Sequence, residues 1–222
     1  MKYSGRIVII SVVLILIVAI RMYGTLYYNY PSLQFPIIGI FIVFASWLLG
    51  TQYDKLKFLS EKDSLTTLYN RRFILETFPK LIASVDRKQE KLILYFIDVD
   101  NFKIINDTRG HKIGDQVLQR IANVLILHSE KRDITARWAG DEFLILSTFS
   151  DACQRAMMIN RIQNELKLAS KEFNLDISVS IGTASYPDEG QALDDLLHAA
   201  DQDMYSLKSD RENNHKVAVT KI

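Results

Sequence analysis

Residues 63–222 are predicted to form an α+β sandwich, an antiparallel-rich sheet with helices packed against it. Three observations predict it. Short apolar runs end abruptly in turn or acidic residues, as in KLILYFIDVD and EFLILSTF, the mark of buried strands. Longer segments repeat apolar residues at helical spacing. Two of the strand segments are also consecutive, meeting at Gly140–Asp141, a dipeptide suited to a tight turn. That order departs from strict strand–helix alternation.

The elements follow in sequence. Asn70 to Arg87 reads as a helix, with Phe73, Phe78, Leu81 and Ile82 at helical spacing and Pro79 as a candidate kink. Residues 91–100 read as a strand whose far end carries Asp98 and Asp100. Residues 114–130 repeat apolar positions at Val117, Leu118, Ile121, Val124 and Leu125, which predicts a helix. DITARWA and EFLILSTF are the strands of a hairpin. Asp151 is the expected N-cap of a helix running to about Lys171. Residues 176–187 alternate as a strand, 192–210 form a helix, and HKVAVTKI is read as a final edge strand.

The first fifty residues are different in kind. Ile7–Ile20 carries no charge, and the run extends to Tyr23 if Arg21 snorkels to the surface. A second apolar run covers Leu33–Gly50. Each approaches the roughly 20 residues a bilayer core demands. No small-x-small cleavage site follows the first run, which argues against a cleaved signal. Spans at about 7–23 and 33–50 are therefore expected to form a transmembrane hairpin. Lys2 and Arg6 precede it and Lys55, Lys57 and Lys62 follow it, which places both ends in the cytoplasm by the positive-inside rule. The tyrosine-rich connection GTLYYNYPSLQ suits an interface and is too short for a sensor domain. Residues 51–62 look like a helical continuation. Leu49, Tyr53, Leu56 and Leu59 line one side of it, either as a coiled-coil seam or as an amphipathic linker.

Composition narrows the chemistry. The 222 residues are 48% hydrophobic and carry a formal net charge of +1, with no block of like charge. Electrostatic capture of nucleic acid is not suggested. The single cysteine, Cys153, excludes an internal disulfide and a thiolate cluster. What remains is carboxylates. If the strand ending in Asp98 and Asp100 lies beside the hairpin carrying Asp141 and Glu142, these acids converge. Oxygen donors without histidine or thiolate favour a hard cation such as Mg2+, commonly completed by substrate phosphates. Ala139 and Gly140, both small, let a phosphate approach the main chain. Taken alone, Asp141 and Glu142 read as a solvated turn; taken with Asp98, they do not.

The segments IDVDNFKIINDTRGHKIGDQVL and RWAGDEF resemble the GGDEF domain of the diguanylate cyclase family. DSLTTLYNRR at 63–72 is similar to that family's entry signature, and SVSIGTASYP and AADQDMYSLK to its later blocks. The likeness covers about residues 62–218. It implies a fold akin to the palm of polymerases and nucleotidyl cyclases. It also implies condensation of two GTP into cyclic di-GMP by a homodimer, each domain holding one GTP and two Mg2+ ions (or Mn2+). By this resemblance Asp98, Asp141, Glu142 and the Val99 carbonyl would bind metal. Glu142 would also assist deprotonation of the attacking hydroxyl. Asn106 and Asp115 would read the guanine edge, an amide and a carboxylate being suited to it. Lys103 and Lys208 would meet the triphosphate, with Phe102, Ala139 and Gly140 lining the nucleotide. Read from the residues alone, Asn106 is rather a capping or turn residue, Asp115 a helix start, Phe102 core, His111 structural and Arg137 a sheet-face or ion-pair residue. The implied location is the bacterial inner membrane, multi-pass, with the domain in the cytoplasm, alongside other cyclic di-GMP signalling proteins as partners.

Three positions depart from the family pattern. Ala139 stands for the first glycine of the signature. In the closing run LKSDRENNH, Glu212 falls where a phosphate-binding arginine is usual, unless a one-residue slip lets Arg211 serve. Glu130, three residues before Asp133, replaces the arginine of the family's product-inhibition site. Three readings stay open: an active cyclase, a silent GGDEF module that binds GTP or a partner protein, or another nucleotidyl transferase on the same fold.

Overall fold

The computed structural model describes the backbone of residues 4–28, 36–148 and 152–219, and the side chains of 7–28, 39–148 and 153–208. The chain divides into two compact units, 1–61 and 62–222. In the first, α1 (Ser4–Tyr28) and α2 (Pro36–Glu61) pack side by side. Ile7–Tyr28 of α1 is a 22-residue stretch of mean hydropathy 2.7 with no fully buried residue. At about 1.5 Å per residue it spans about 33 Å, enough to cross a hydrocarbon core of ~30 Å. An apolar cleft lined by Ile10, Leu14 and Ile17 of α1 and Val43 and Trp47 of α2 lies between the helices. Within α2 the hydroxyls of Ser46 and Thr51 donate back to the carbonyls of Ile42 and Leu48, so neither needs an outside partner. The helix continues unbroken past Gly50 to Glu61.

The second unit is built on a five-stranded sheet. Its strands are β1 (Tyr69–Asn70), β2 (Leu92–Val99), β3 (Ile134–Ala139), β4 (Glu142–Ser147) and β5 (Val179–Tyr186). Their order across the sheet is β1-β3-β4-β2-β5. The β3–β4, β4–β2 and β2–β5 pairs are antiparallel, and β1–β3 is parallel. The remaining helices are α3 (Arg71–Lys88), α4 (Phe102–Arg109), α5 (His111–His128), α6 (Ala152–Phe173) and α7 (Leu193–Val219).

The central position of β2 explains its unbroken apolar run. Leu92, Leu94 and Phe96 enter one core with Ile74 and Phe78 of α3 and Leu196 and Ala200 of α7. Ile93, Tyr95 and Ile97 enter a second with Val117, Leu118 and Ile121 of α5 and Ile162 and Leu166 of α6. A strand buried on both faces has no polar face to alternate with.

Several expectations need correction. Residues 215–219 continue α7 rather than forming an edge strand, and 220–222 lie outside the described residues. The free edge of β5 offers little to a further strand. The N–H of Thr183 donates to Asp203 Oδ2 (2.8 Å) and that of Ser185 to Glu189 Oε2 (2.7 Å), a side-chain closure of the edge. The helix expected at 114–130 begins at His111, and the polar segment before it forms α4. Gly110, at φ +81, joins the two. The strand expected from 176 starts at Val179, because the N–H of Ile177 is taken by the Ser170 hydroxyl. Helix α3 runs through Pro79. The carbonyl that loses its donor there belongs to Leu75, a residue 49% exposed. The expected cap Asp151 lies outside the described residues.

Helix α7 is fixed over the sheet by two contacts. Asp203 accepts from the Thr183 backbone, and Gly182 provides close approach. A Cβ at Gly182 would fall 1.9 Å from the Ala200 carbonyl and 2.8 Å from Met204. Gly182→Ala is expected to destabilise the fold by about 1–3 kcal/mol through overpacking, read as a lower midpoint in denaturant unfolding.

Candidate functional site

The site is assembled where β2 ends. Asp98 stands directly opposite Glu142 in the β2–β4 register. Cross-strand partners share a face with Cβ atoms about 5 Å apart, so the two carboxylates emerge together, on the side covered by α7. Asp141, next in the hairpin, is tied to the same place: its carbonyl accepts from the Val99 N–H at 3.2 Å. The Val99 side chain is 2% exposed in the core, so only its backbone is available to a ligand. A cavity of about 290 Å³ is lined by Phe96, Asp98, Glu142, Asp201, Met204, Tyr205 and Lys208.

Its electrostatics are those of crowded acids. Burial pushes the Glu142 carboxyl above the ordinary glutamate range, and the charges of Asp98, Asp141 and Asp201 push the same way, against a smaller opposing pull from Arg71. The Lys208 ammonium donates to Asp98 Oδ2 at 2.9 Å and lies 3.9 Å from Asp100 Oδ1. Asp100 is otherwise committed to β5, accepting from Ser178 (2.7 Å) and Ser180 (2.6 Å). It therefore acts as a strand-end anchor and does not join the convergence expected of it. Asp201, which sequence reasoning missed, reaches the cavity because it lies seven residues, about two turns, before Lys208 on the same face of α7.

The donors fit a hard divalent ion. They are all oxygens, their repulsion is only partly offset at Glu142, and Asp98 already attracts a cation. Among the described residues, no three His, Cys, Asp or Glu side chains form a self-sufficient metal cage. Magnesium, which binds through one or two carboxylates and keeps water or phosphate as its other ligands, suits such an open set.

The hairpin lip is held from below. Arg137 donates to the Gly140 carbonyl from Nε (2.9 Å) and a terminal nitrogen (2.6 Å), while its other nitrogen meets Asp63 at 3.1 Å. Arg137 is thus an ion-pair residue, and it ties the lip to the first turn of the domain. Asp63 also accepts from the Thr66 N–H and hydroxyl. Gly140 takes φ +31, whereas Ala139 is absent from the non-glycine residues with positive φ. Both are exposed. The pairing shifts between Arg137 and Ala139, leaving Trp138 as the extra residue of a bulge.

A second group sits on α4 and α5, which follow β2 directly. Asn101 makes the turn in the left-handed region, φ 55. Phe102 is half-buried against the α5 core, and Lys103 is exposed. Asn106 lies against Gly114, the residue before exposed Asp115. A Cβ at Gly114 would fall 1.9 Å from Asn106 Oδ1. Gly114 was also missed; its signal is a glycine inside a helix, which costs about 1 kcal/mol against alanine unless close approach requires it. The Arg211 and Glu212 side chains lie outside the described residues.

The raised Glu142 pKa yields a prediction with a definite sign. The folded protein binds this proton more tightly than the unfolded chain, so stability falls as pH rises from the ordinary glutamate range through the raised value. Glu142→Gln is expected to raise the melting temperature of the metal-free protein at neutral pH, with the gain shrinking as pH falls into that range. Thermal melts of both proteins across the acid range check it.

Comparison with known proteins agrees with this geometry. Residues 60–214 match the family model described as "Diguanylate cyclase, GGDEF domain". The chain is 33% identical over 162 residues to diguanylate cyclase DgcP of Escherichia coli, covering 72% of this chain and 48% of that protein. It is 35% identical over 180 residues to diguanylate cyclase TpbB of Pseudomonas aeruginosa, covering 78% and 41%. Cyclic di-GMP phosphodiesterase NbdA of P. aeruginosa matches at 30% over 168 residues, 75% of this chain and 22% of that protein. The chain thus spans about half or less of these relatives. Among solved structures, the GGDEF domain of TpbB superposes with a TM-score of 0.62 at 33% identity, covering 67% of this chain and 89% of that one. The coiled coil and GGDEF domain of DgcB from Caulobacter crescentus, in complex with c-di-GMP, gives 0.66 at 26% identity, covering 73% and 87%. The fold, the paired acids at the β2–β4 edge and these likenesses agree that the chain belongs to the GGDEF diguanylate cyclase family.

Proposed function

We propose that the chain is an active, membrane-tethered diguanylate cyclase that condenses two GTP into cyclic di-GMP and two pyrophosphates. The observation that carries this reading is the Asp98–Glu142 cross-strand pair with Asp141 beside it. Asp98, Asp141, Glu142 and the Val99 carbonyl would hold magnesium. The metal, when bound, offsets charge on the triphosphate and lowers the barrier to displacement at the α-phosphorus. Glu142 accepts the proton of the 3′-hydroxyl as the general base. That oxygen then bonds to the α-phosphorus of the GTP on a second copy, and pyrophosphate leaves. Asn106 and Asp115 read guanine, Phe102 supports the base, and Lys103 and Lys208 meet the phosphates. Arg211 serves the phosphates in the slipped register of the closing run.

The alanine of the AGDEF signature is compatible with activity. The conformation that needs glycine is at position 140, φ +31, while Ala139 keeps an ordinary backbone. The reaction needs two copies, and α2 offers a route to pairing: Leu49, Tyr53, Leu56 and Leu59 are 67%, 54%, 65% and 59% exposed along it, a stripe suited to a parallel seam with a second copy. The hydropathy of α1 and the apolar first half of α2 support a two-span anchor in the bacterial inner membrane with the domain in the cytoplasm. Product feedback through residues 130–133 is not part of this reading. The Asp133 carboxylate accepts from the Glu130 N–H at 2.8 Å, closing its own turn, and no arginine stands at 130.

The test is turnover by the full chain in lipid nanodiscs with GTP and magnesium. Cyclic di-GMP is expected from the wild type and none from Glu142→Gln. Ala139→Gly is expected to change the rate by less than about threefold. Tight GTP binding without product in either would establish the silent module instead, and a large gain from Ala139→Gly would place a handicap at the lip.

A further inference from the structure

Two consecutive arginines open α3, and they are used differently. Arg72 Nε donates to Glu76 Oε1 at 2.7 Å, one turn along the same helix. Arg71 makes no hydrogen bond or ion pair among the described residues. Its guanidinium lies 4.6 Å from the centre of the Trp138 ring. The placement follows from the sheet: β1 pairs with β3 in the register Asn70–Arg137, so the residues that follow them, Arg71 at the start of α3 and Trp138 on β3, become neighbours. Trp138 is the bulged residue immediately before Ala139, which itself stands opposite Glu142.

This arrangement leaves a cation near acids that it does not join. The charge of Arg71 acts on Glu142, yet no carboxylate among the described residues lies within ion-pair distance of it. Lys208, by contrast, rests on Asp98. Stacking on an indole face satisfies the guanidinium plane and restrains the long side chain, but leaves the N–H groups on its rim available. A rigid planar fork with unused donors, exposed at the lip of an acid-lined cleft, matches phosphate oxygens. We propose that Arg71, braced by Trp138, binds a phosphate group of the nucleotide at the hairpin lip. The inference rests on the reading of the cleft as a nucleotide site and adds a phosphate ligand from the opposite wall to Lys208.

Equilibrium binding to the full chain in nanodiscs tests it, using Mg-GTP, guanosine and Mg-pyrophosphate as probes. Arg71→Gln is expected to weaken Mg-GTP by about tenfold or more, the loss of one charge-assisted hydrogen bond, and to leave guanosine unchanged. Arg71→Lys recovers part of the loss, Trp138→Phe falls between, and Arg72→Gln matches wild type. Arg71→Gln within twofold of wild type for Mg-GTP overturns the proposal, as does equal weakening of guanosine and Mg-GTP, which marks a structural role. If the wild type binds Mg-pyrophosphate but neither guanine compound, the nucleotide reading fails while loss of pyrophosphate binding in Arg71→Gln still upholds the anion role. If it binds none of the three, both fall.

Discussion

The register that sets Asp98 opposite Glu142 is the constraint on which the rest of the site depends. One residue of slippage between β2 and β4 would turn one carboxylate to the other face of the sheet. The register is protected because β2 is buried on both sides: a slip would also misplace Leu94, Phe96, Ile93 and Tyr95, each less than 9% exposed. Two hydrophobic cores thus hold two like charges near each other, an arrangement that is costly until a cation arrives. Burial, and after it the charges of Asp98, Asp141 and Asp201, raise the Glu142 pKa in the absence of such a cation.

Everything around the pair acts to place charge and backbone against it. Gly182 and the Asp203–Thr183 contact seat α7, which carries Asp201 and Lys208 to the cavity. Arg137 supports the lip through the Gly140 carbonyl and Asp63. The bulge at Trp138 positions the ring on which Arg71 rests. Gly114 lets Asn106 lie against the segment carrying Asp115. The glycines that matter are those where another atom approaches or φ is positive. By that criterion Gly140 is required and the position of Ala139 is not.

Most of the fold was legible in the sequence, because strands buried on both faces and amphipathic helices leave strong periodic signals. The failures have physical causes. FKIINDTR is short and polar on most sides, so α4 carried little periodicity. A two-residue strand such as β1 carries none. The alternation in HKVAVTKI suggested a strand, but the adjoining edge of β5 is closed by Asp203 and Glu189, and the chain remains helical to Val219. At the site, Asp98, Asp141 and Glu142 could be found because they end or join strands. Asp201 could not, since its place is set by how α7 docks, nor could Arg71, which is placed by the pairing of a two-residue strand. Asp100 looked equivalent to Asp98 by spacing, and only the structure shows its commitment to Ser178 and Ser180.

The most direct measurement of the central claim is a double-mutant cycle on metal binding, using electron paramagnetic resonance of Mn2+ titrated with GTP into the full chain. If Asp98 and Glu142 share one cation site, Asp98→Asn and Glu142→Gln each weaken nucleotide-dependent Mn2+ uptake, and the double substitution costs much less than the sum of the two. Additive losses, or Mn2+ uptake unaffected by either substitution, would contradict it.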